Sequence, residues 1–290
     1  MRKLSKKQLF WIVAASLFLI FIAYVIWGNI SLKTIEYTVT SDRLPESFSG
    51  FRIAQISDLH NVEFGKNNQR LLKKLAQAEP DIIVITGDLI DSGDTNVQIA
   101  SDFCKEAVKI APVYYISGNH DVWAEEFPLL CDELLKTGVC ILKDASEKIY
   151  IDNDSIQLIG IQDPEWYQND PEKSQPNYDT NEIDVLVADL MQEDQYTILL
   201  SHRPEFFSEY IQSGVDLVFT GHAHGGQIRI PFIGGIYAPY QGFFPEYDSG
   251  IYTKDSTAMV VSRGLGNGTI IPRVNNRPEI VIVELKSTKK

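Results

Sequence analysis

The most regular feature of the sequence is a repeated unit in which a short apolar run stops abruptly at a polar cluster. The runs are of strand length and rich in β-branched side chains, which is typical of strands that are buried on both faces. The units are RIAQI with SDLH, DIIVIT with GDLID, PVYYIS with GNHD, YTILL with SHRP, and VDLVFT with GHAH. This pattern predicts a sheet whose strands end in polar loops.

Segments with helical periodicity separate several of these strands. In residues 67–80, the side chains of Leu71, Leu72 and Leu75 form one apolar stripe, and Pro80 ends it. Similar spacing recurs in residues 96–110, 125–138 and 204–214. Strands that alternate with helices predict an α/β fold. Because ligands in such folds bind beyond the carboxyl ends of the strands, we expect the polar clusters to meet in one site.

The N-terminal part of the chain differs from the remainder. Residues 9–27 are apolar and uncharged, close to the roughly 20 residues that a helix needs to cross a bilayer. The cations that precede them are Arg2, Lys3, Lys6 and Lys7. Because cationic flanks tend to stay in the cytoplasm, we predict a basic cytoplasmic leader at residues 1–8 and a single transmembrane anchor at residues 9–28. The rest of the chain then lies on the opposite, extracytoplasmic side of the cell membrane.

Two alternatives to an anchor are a cleaved signal peptide and a buried core helix. A signal peptide has a shorter apolar region of about 7–15 residues and a small-residue cleavage site, and no such site follows residue 27. A core helix has no need of a basic leader or of aromatic residues at both ends. Residues 29–50 are predicted to form a connection in which IEYTVT is extended, and residues 51–290 are predicted to form the globular domain.

Charge and cysteine content limit the possible partners and cofactors. The formal net charge is −13, and beyond the basic leader the chain carries 22 Lys and Arg against 39 Asp and Glu. A surface of this sign repels polyanions, so no nucleic-acid partner is expected. The three cysteines, Cys104, Cys131 and Cys140, include no CxxC pair. We therefore expect packed thiols rather than disulfides or a thiolate zinc site.

All five histidines of the chain lie in the polar clusters, together with several carboxylates and one amide. Imidazole, carboxylate and amide oxygen without thiolate suit divalent metals such as Mn, Fe or Zn. Seven candidate ligands are too many for one ion, whereas two ions that share one carboxylate fit this number. The candidates are Asp58, His60, Asp88, Asn119, His202, His222 and His224.

The clusters DLH, GDLID, GNHD, SHRP and GHAH, in this order, resemble the motifs of the calcineurin-like metallophosphoesterase family. The resemblance extends from about residue 50 to the C-terminus. It implies a layered sandwich of two facing mixed β-sheets flanked by helices. It also implies a metal-dependent hydrolase that cleaves phosphoester or pyrophosphate bonds, by in-line attack of a hydroxide that bridges two divalent ions.

The C-terminal segments GHAHGGQIRIPFIGG and SRGLGNGTIIPRVNNRPEIVIVEL resemble a narrower group within that family. This group is the membrane-associated bacterial branch of YkuE/YaeI-type phosphodiesterases, which is related to UDP-diacylglucosamine hydrolases of lipid A synthesis. The resemblance therefore implies a role in lipid metabolism. It conflicts with the charge pattern, because a UDP-linked lipid precursor is made on the cytoplasmic side. We give the charge pattern more weight.

The family resemblance also implies roles for individual residues. One metal would be held by Asp58, His60 and His224, the other by Asn119, His202 and His222, and Asp88 would bridge them. His120 would stabilise the developing charge or protonate the leaving oxygen, and Asp121 would orient His120. Asp91 is expected either to bond a ligand imidazole or to serve as a helix N-cap or loop carboxylate.

Other features each allow two interpretations. Arg203 and Arg263 are candidates for contacts with the substrate phosphate, or else they form salt bridges. Residues 163–182 are predicted to form a long exposed loop, either a surface insertion or a lip beside the site. The aromatic, glycine-rich residues 231–247 either contact lipid chains or pack within the protein.

The sequence thus predicts a membrane-anchored binuclear phosphoesterase that acts on phosphodiester or lipid-linked substrates. One alternative is a nucleotide phosphodiesterase that acts on soluble substrates, with the anchor serving only for localisation. Another is a non-catalytic metal-binding scaffold. Such a scaffold would be expected to lose ligands or His120, and this chain retains all of them.

Overall fold

A computed structural model describes residues 5–166, 183–192, 194–269 and 271–289. Within these residues, two six-stranded sheets stack face to face, and helices cover their outer faces. The structure confirms the predicted α/β sandwich of two mixed sheets flanked by helices. Most of the predicted loop at residues 163–182 lies outside the described residues.

The first sheet joins the two ends of the globular part of the chain. Its strands, in spatial order, are β1 (Lys33–Ser41), β16 (Glu279–Ser287), β2 (Arg52–Ile56), β3 (Ile82–Thr86), β4 (Val113–Ile116) and β5 (Cys140–Ile141). Strands β2 to β5 are parallel neighbours, β16 runs antiparallel to β2, and β1 runs parallel to β16. The extended stretch that was predicted within residues 29–50 is therefore an edge strand of this sheet.

The second sheet has a similar arrangement. Its strands, in spatial order, are β14 (Gly250–Lys254), β15 (Thr257–Val261), β9 (Leu217–Thr220), β8 (Thr197–Leu200), β7 (Asp154–Gly160) and β6 (Ala145–Ile151). The four central strands are parallel and both edge strands are antiparallel to their neighbours. Two short hairpins precede β14: β10 (Arg229–Ile230) with β11 (Gly234–Gly235), and β12 (Tyr237–Ala238) with β13 (Gly242–Phe243).

Most helices of the described residues lie in the segments predicted to be helical, whereas those at residues 119–123 and 183–190 were not anticipated from the sequence. They are α1 (Lys6–Ile30), α2 (Gln69–Gln77), α3 (Val97–Ala107), α4 (Asn119–Trp123), α5 (Phe127–Thr137), α6 (Ile183–Leu190) and α7 (Phe207–Ser213). Buried side chains of α2, α3 and α5 pack on the first sheet, and those of α6 and α7 pack on the second. Gly138 and Gly214 end α5 and α7 in the left-handed conformation, as glycine does at many helix C-termini.

A continuous apolar layer lies between the two sheets. Ile53, Val84 and Val283 of the first sheet and Leu158 and Phe219 of the second are fully buried there. Full burial of one such side chain contributes about 1.5–3 kcal/mol. Because the parallel strands of both sheets end at the same edge of this sandwich, the polar loops that follow five strands converge at that edge.

The N-terminal helix α1 is exposed along most of its length. Among the described residues it is the one helix long and apolar enough to cross a membrane, by composition and length alone. A capping box starts it: Ser5 Oγ accepts from the Gln8 amide at 3.2 Å, and Gln8 Oε1 accepts from the Ser5 amide at 3.0 Å. This N-terminal apolar helix has the character of a signal sequence or an anchor.

The C-terminal end of α1 is tied to the globular part by specific contacts. The Asn29 side chain donates to the carbonyl of Arg273 at 2.9 Å and accepts from the amide of Arg273 at 3.0 Å. The Arg277 guanidinium lies 4.8 Å from the centre of the Trp27 ring. These contacts hold the end of α1 beside the loop that precedes β16.

Candidate metal centre and active site

Strained backbone conformations mark the converging loops. Five of the candidate ligands have positive φ: 51° at Asp58, 45° at His60, 53° at Asp88, 63° at His222 and 47° at His224. A non-glycine residue in the left-handed region costs about 1–3 kcal/mol, and such strain clusters at functional sites. The strained residues here lie at the ends of the strands, where the loops direct the candidate ligand side chains towards one another.

Two glycines allow the loops to approach closely. A Cβ atom on Gly118 would overlap the Asp88 carboxylate, and one on Gly221 would overlap the Ser57 hydroxyl and the Asp58 carboxylate. Glycine is therefore required at both positions for the carboxylates to reach the centre. These are the glycines that precede Asn119 and His222 in the motifs GNHD and GHAH.

Asp88 lies between two groups of potential ligands. Its Oδ2 atom is 3.5 Å from His60 Nε2 and 3.3 Å from His202 Nε2, and its Oδ1 accepts from the His120 amide at 2.8 Å. Burial of Asp88 favours the neutral acid, but the attraction of His202 prevails and holds the pKa of Asp88 well below its usual value. An ionised carboxylate therefore faces both groups.

The first group consists of Asp58, His60 and His224 together with Asp88. The Nε2 atoms of His60 and His224 are 3.2 Å apart, and His224 Nε2 is 3.6 Å from Asp58 Oδ1. Burial and the nearby charge of His60 lower the pKa of His224 well below its usual value. His224 is therefore a neutral ring that can offer a lone pair to a metal.

The second group consists of Asn119, His202 and His222, again with Asp88. His202 Nδ1 donates to the Thr86 carbonyl at 2.7 Å, so that in the neutral ring Nε2 carries a lone pair. This Nε2 lies 3.2 Å from Asn119 Oδ1 and 3.2 Å from His222 Nδ1. Lone pairs therefore converge on one point of the structure.

The electrostatic environment around His202 Nε2 favours positive charge. Burial disfavours a charged imidazole, yet the negative charge of Asp88 outweighs it and raises the pKa of His202 to about 10. His222 behaves in the opposite way, because burial, followed by the charge of Arg203, lowers its pKa well below the usual value. A bound cation would satisfy the converging lone pairs without protonating any ring.

The spacing of the donor atoms fits coordinated metal ions. Bonds of about 2.1 Å place neighbouring ligand atoms roughly 3.0–3.4 Å apart in octahedral or tetrahedral geometry, close to the separations found here. In addition, Asp58 Oδ2 is buried and has no hydrogen-bond partner among the described residues. The residues present therefore fit two divalent ions, and nitrogen and oxygen donors of this kind accept Mn, Fe or Zn.

His120 lies at the more accessible edge of the centre. Its ring makes an edge-on contact with His60, with centroids 4.6 Å apart. The Ser92 hydroxyl is 3.2 Å from His120 Nδ1, and Asp91 Oδ2 is 3.7 Å from the same atom. Asp91 Oδ2 is also 3.3 Å from His60 Nδ1, and that hydrogen bond is the largest cause of a lowered Asp91 pKa of about 2. Asp91 therefore supports two imidazoles.

Asp121, which the sequence led us to expect beside the His120 ring, is hydrogen-bonded to the backbone. Its two oxygens accept from the amides of Ile90 and Gly118, each at 3.0 Å. Burial, followed by the charge of Asp88, raises the pKa of Asp121 to about 7. Asp121 therefore connects two of the ligand loops, and the groups that face His120 Nδ1 are Ser92 and Asp91.

The two candidate phosphate-binding arginines are engaged in ion pairs. Arg203 is buried, and its Nε and Nη2 donate to the two oxygens of Asp163 at 2.6 and 2.9 Å. The Tyr240 ring covers its guanidinium, with 4.3 Å between Arg203 Cζ and the ring centroid. Arg263 Nε lies 3.5 Å from Glu279 Oε2. The salt-bridge interpretation therefore describes both side chains.

Two residues beside the centre were not anticipated from the sequence. Arg273 is buried, and its Nη2 lies 3.2 Å from His224 Nδ1 while it donates to the carbonyl of Gly266 at 2.5 Å. The Asn276 side chain donates to the His224 carbonyl at 2.7 Å. Both belong to the polar stretch PRVNN. The only feature of the sequence that could have indicated a functional role for this stretch is its position between apolar segments. Since Asn29 binds the backbone of Arg273, α1 is linked to the centre through one residue.

An apolar cavity of about 330 Å³ adjoins the centre. His224 lies in its wall, so the cavity and the first ligand group share one side chain. Residues 226–228, the second hairpin with the adjoining Ile236, and the segment around Ile271 form the rest of the lining. The apolar and aromatic lining residues are Ala223, Ile228, Ile236, Tyr237, Phe243 and Ile271.

Comparison with known proteins agrees with this architecture. The profile of the family described as calcineurin-like phosphoesterase matches residues 51–226. The uncharacterised metallophosphoesterase YkuE of Bacillus subtilis is 28% identical over 262 residues, covering 89% of this chain and 86% of that protein. Phosphodiesterase YaeI of Escherichia coli is 26% identical over 241 residues, covering 81% of this chain and 82% of that protein.

One vertebrate relative is described as a transmembrane protein. The transmembrane protein with metallophosphoesterase domain of Danio rerio is 28% identical over 264 residues. The match covers 88% of this chain and 57% of that protein.

The Arg203–Asp163 pair leads to a stability prediction. Replacement Arg203→Met leaves the Asp163 carboxylate buried without its partner, and we expect the free energy of unfolding to fall by about 3–5 kcal/mol. Denaturant unfolding of the full chain in detergent measures this change. The double variant Arg203→Met, Asp163→Asn should recover part of the loss, because it removes the buried Asp163 charge but leaves Glu205, which lies 3.6 Å from Arg203 Nη1, without its partner. An unchanged stability together with a raised KM for a phosphodiester would instead identify Arg203 as a phosphate contact.

Proposed function

Because this chain belongs to the calcineurin-like phosphoesterase family, we propose that it hydrolyses phosphodiester or lipid-linked phosphate bonds at a membrane surface with two divalent metal ions. The observation that carries this proposal is the position of Asp88, whose Oδ2 lies 3.5 Å from His60 Nε2 and 3.3 Å from His202 Nε2. A carboxylate in that position is suited to join two ions into one centre.

In this proposal the ligands divide into two sets. Asp58, His60 and His224 hold one ion, Asn119, His202 and His222 hold the other, and Asp88 serves both. When bound, two such ions would make a water molecule nucleophilic near neutral pH and would stabilise negative charge on the phosphate oxygens.

The protein groups around the ions have supporting tasks. His202 is oriented by its bond to the Thr86 carbonyl, which fixes the ring atom that points into the centre. His120 is the proposed proton donor to the leaving oxygen. Its Nδ1 is close to Ser92 and Asp91, and its Nε2 has no hydrogen-bond partner among the described residues. Asp121 connects the two ligand loops and so positions Asn119 and Asp88.

Two observations support a substrate with an apolar portion. The cavity of about 330 Å³ beside His224 has an apolar lining and lies within reach of a phosphate at the centre. Pockets of this size and character bind small apolar groups. The contacts of Asn29 with Arg273 also hold the end of α1 next to the same loop. An amphiphile that remains partly in the bilayer is the substrate class that suits both features.

The proposed location follows from α1. Its apolar length fits a membrane anchor, and the cations before it favour a cytoplasmic N-terminus. The phosphoesterase domain then lies on the extracytoplasmic face. The name of the Danio rerio relative supports a membrane setting for a protein of this family.

Replacement of the shared carboxylate tests the proposed function. Asp88→Asn keeps the shape of the side chain but removes its charge, and we expect turnover of bis(p-nitrophenyl) phosphate to fall by at least about 100-fold, the scale on which lost electrostatic stabilisation acts. The control is Asp132→Asn on the exposed face of α5, which should retain full turnover. Turnover of Asp88→Asn equal to that of the parent chain would favour the non-catalytic scaffold.

The two histidines of GHAH should belong to different metal sites. We expect His222→Ala and His224→Ala each to retain about one metal ion per chain and the double variant to retain none, because each single change removes a ligand from only one site. Elemental analysis of the purified chains after dialysis measures the metal content. If the double variant kept as much metal as either single variant, both rings would belong to one site.

The length of an apolar chain on the substrate separates the proposed activity from a soluble-nucleotide phosphodiesterase. We expect kcat/KM for a p-nitrophenyl dodecyl phosphodiester to exceed that for the methyl diester by at least about tenfold, since burial of each methylene group contributes about 0.8 kcal/mol. Cyclic nucleotides provide the comparison. Faster hydrolysis of a cyclic nucleotide than of the dodecyl diester would favour the soluble-substrate alternative.

A further inference from the structure

Large apolar side chains at the two short hairpins are mostly exposed. The tip of the first hairpin, between β10 and β11, carries Phe232, which is fully exposed, and Ile233, which is 64% exposed. At the end of the second hairpin, Phe243 is 74% exposed and Phe244 is 63% exposed. We call these four side chains the apolar tips. Each tip groups two neighbouring exposed side chains, and grouped exposed apolar residues mark an interaction surface, whereas single ones do not.

The first hairpin is connected to the end of α1 by a short series of contacts. Tyr24 on α1 is hydrogen-bonded to Asn275, with 3.3 Å between the phenol oxygen and Oδ1. The Asn275 side chain donates to the carbonyl of Arg229 at 3.3 Å, and Arg229 begins β10. Phe232 follows only a few residues later. The first hairpin therefore projects from the part of the domain that touches the last turns of α1.

The position of Tyr24 indicates how deep in a membrane the domain surface around Asn275 would lie. Tyr24 and Trp27 lie near the C-terminal end of the apolar helix, where aromatic rings prefer the boundary between headgroups and hydrocarbon. Since Asn275 contacts Tyr24 directly, the adjoining domain surface must reach the same boundary when α1 spans a bilayer. A hairpin that extends from that surface meets lipid rather than water.

Basic side chains surround the same end of α1. Arg70 and Arg277 donate to the carbonyls of Ile30 and Ser31 at 2.8 and 2.9 Å. Lys33, Arg229 and Arg263 line a groove beside the first hairpin, together with Glu246 and Asp248. Cations at this level interact favourably with anionic headgroups. Their concentration around α1 contrasts with the acidic charge of the chain as a whole.

We propose that the apolar tips insert into the bilayer interface beside α1, so that the domain is held against the membrane at two places. The occupant of this surface is the lipid bilayer, and the inference rests on the membrane anchoring given under the proposed function. Because Phe243 also lines the cavity next to His224, this placement opens the cavity towards the lipid. The metal centre then receives phosphate groups from the plane of the membrane.

Site-specific labelling of the full chain in phospholipid vesicles tests this placement. An environment-sensitive fluorophore is attached to Phe232→Cys in a Cys140→Ser background, where Cys104 and Cys131 are buried and unreactive. Phe232 is fully exposed, so its replacement removes no packing. We expect lipids with a nitroxide near the headgroup to quench about half of the emission, because interfacial side chains lie about 5–10 Å into the boundary region.

Two further labelled variants serve as controls. Tyr150→Cys on β6 is similarly exposed at 66% and should show no quenching, since β6 is at the far edge of the second sheet. Ile20→Cys within α1 should be quenched by lipids that carry the nitroxide deep in the chain. Quenching at residue 20 but not at residue 232 would overturn the inference while leaving the anchor intact.

The remaining outcomes also distinguish the proposals. Absence of quenching at both residues 20 and 232 would overturn membrane anchoring and the inference together, whereas phosphodiester turnover tests the catalytic proposal separately. A blue-shifted emission at residue 232 without nitroxide quenching would show that a protein surface covers the tips, either a second copy of this chain or another partner. That result too would overturn insertion into lipid.

Discussion

The position of the Asp88 carboxylate between two sets of imidazoles is the constraint on which the site depends. An ionised group buried at this depth is costly unless positive charge lies nearby. The neighbouring rings respond in opposite directions, because Asp88 raises the pKa of His202, whereas burial keeps His222 and His224 neutral. A pair of divalent ions would meet both requirements, since it would compensate the carboxylate charge and coordinate the lone pairs of the neutral rings.

Bringing these groups together requires a rigid support. The ligand loops contain several residues in the left-handed conformation, and each costs free energy that the rest of the fold must offset. The apolar layer between the sheets contributes that stability, because strands from both sheets are fully buried there. Gly118 and Gly221 then permit the close approach of loops that start from different strands. Catalytic geometry at the edge therefore relies on the packing of the sandwich behind it.

The N-terminal helix is part of the same arrangement. Asn29 at its end binds the backbone of Arg273, and the Arg273 side chain contacts His224. Movement of α1 relative to the domain would therefore displace His224, a candidate metal ligand. The first hairpin and the cavity adjoin the same region, so the proposed membrane contact and the proposed phosphate chemistry share one face of the protein.

Local patterns in the sequence were sufficient to predict the alternation of strands and helices and the apolar N-terminal helix. They also identified the candidate ligands, because each of these features depends on residues that are close together in the chain. The pairing of strands into two sheets came from family resemblance, since periodicity carries no information about which strands become neighbours. Only the tertiary structure showed three features: the environment of Arg203, the contacts of Asp121 and the position of Arg273 beside His224. These features join residues 40 or more positions apart, or depend on the direction in which a side chain points, and both are consequences of packing.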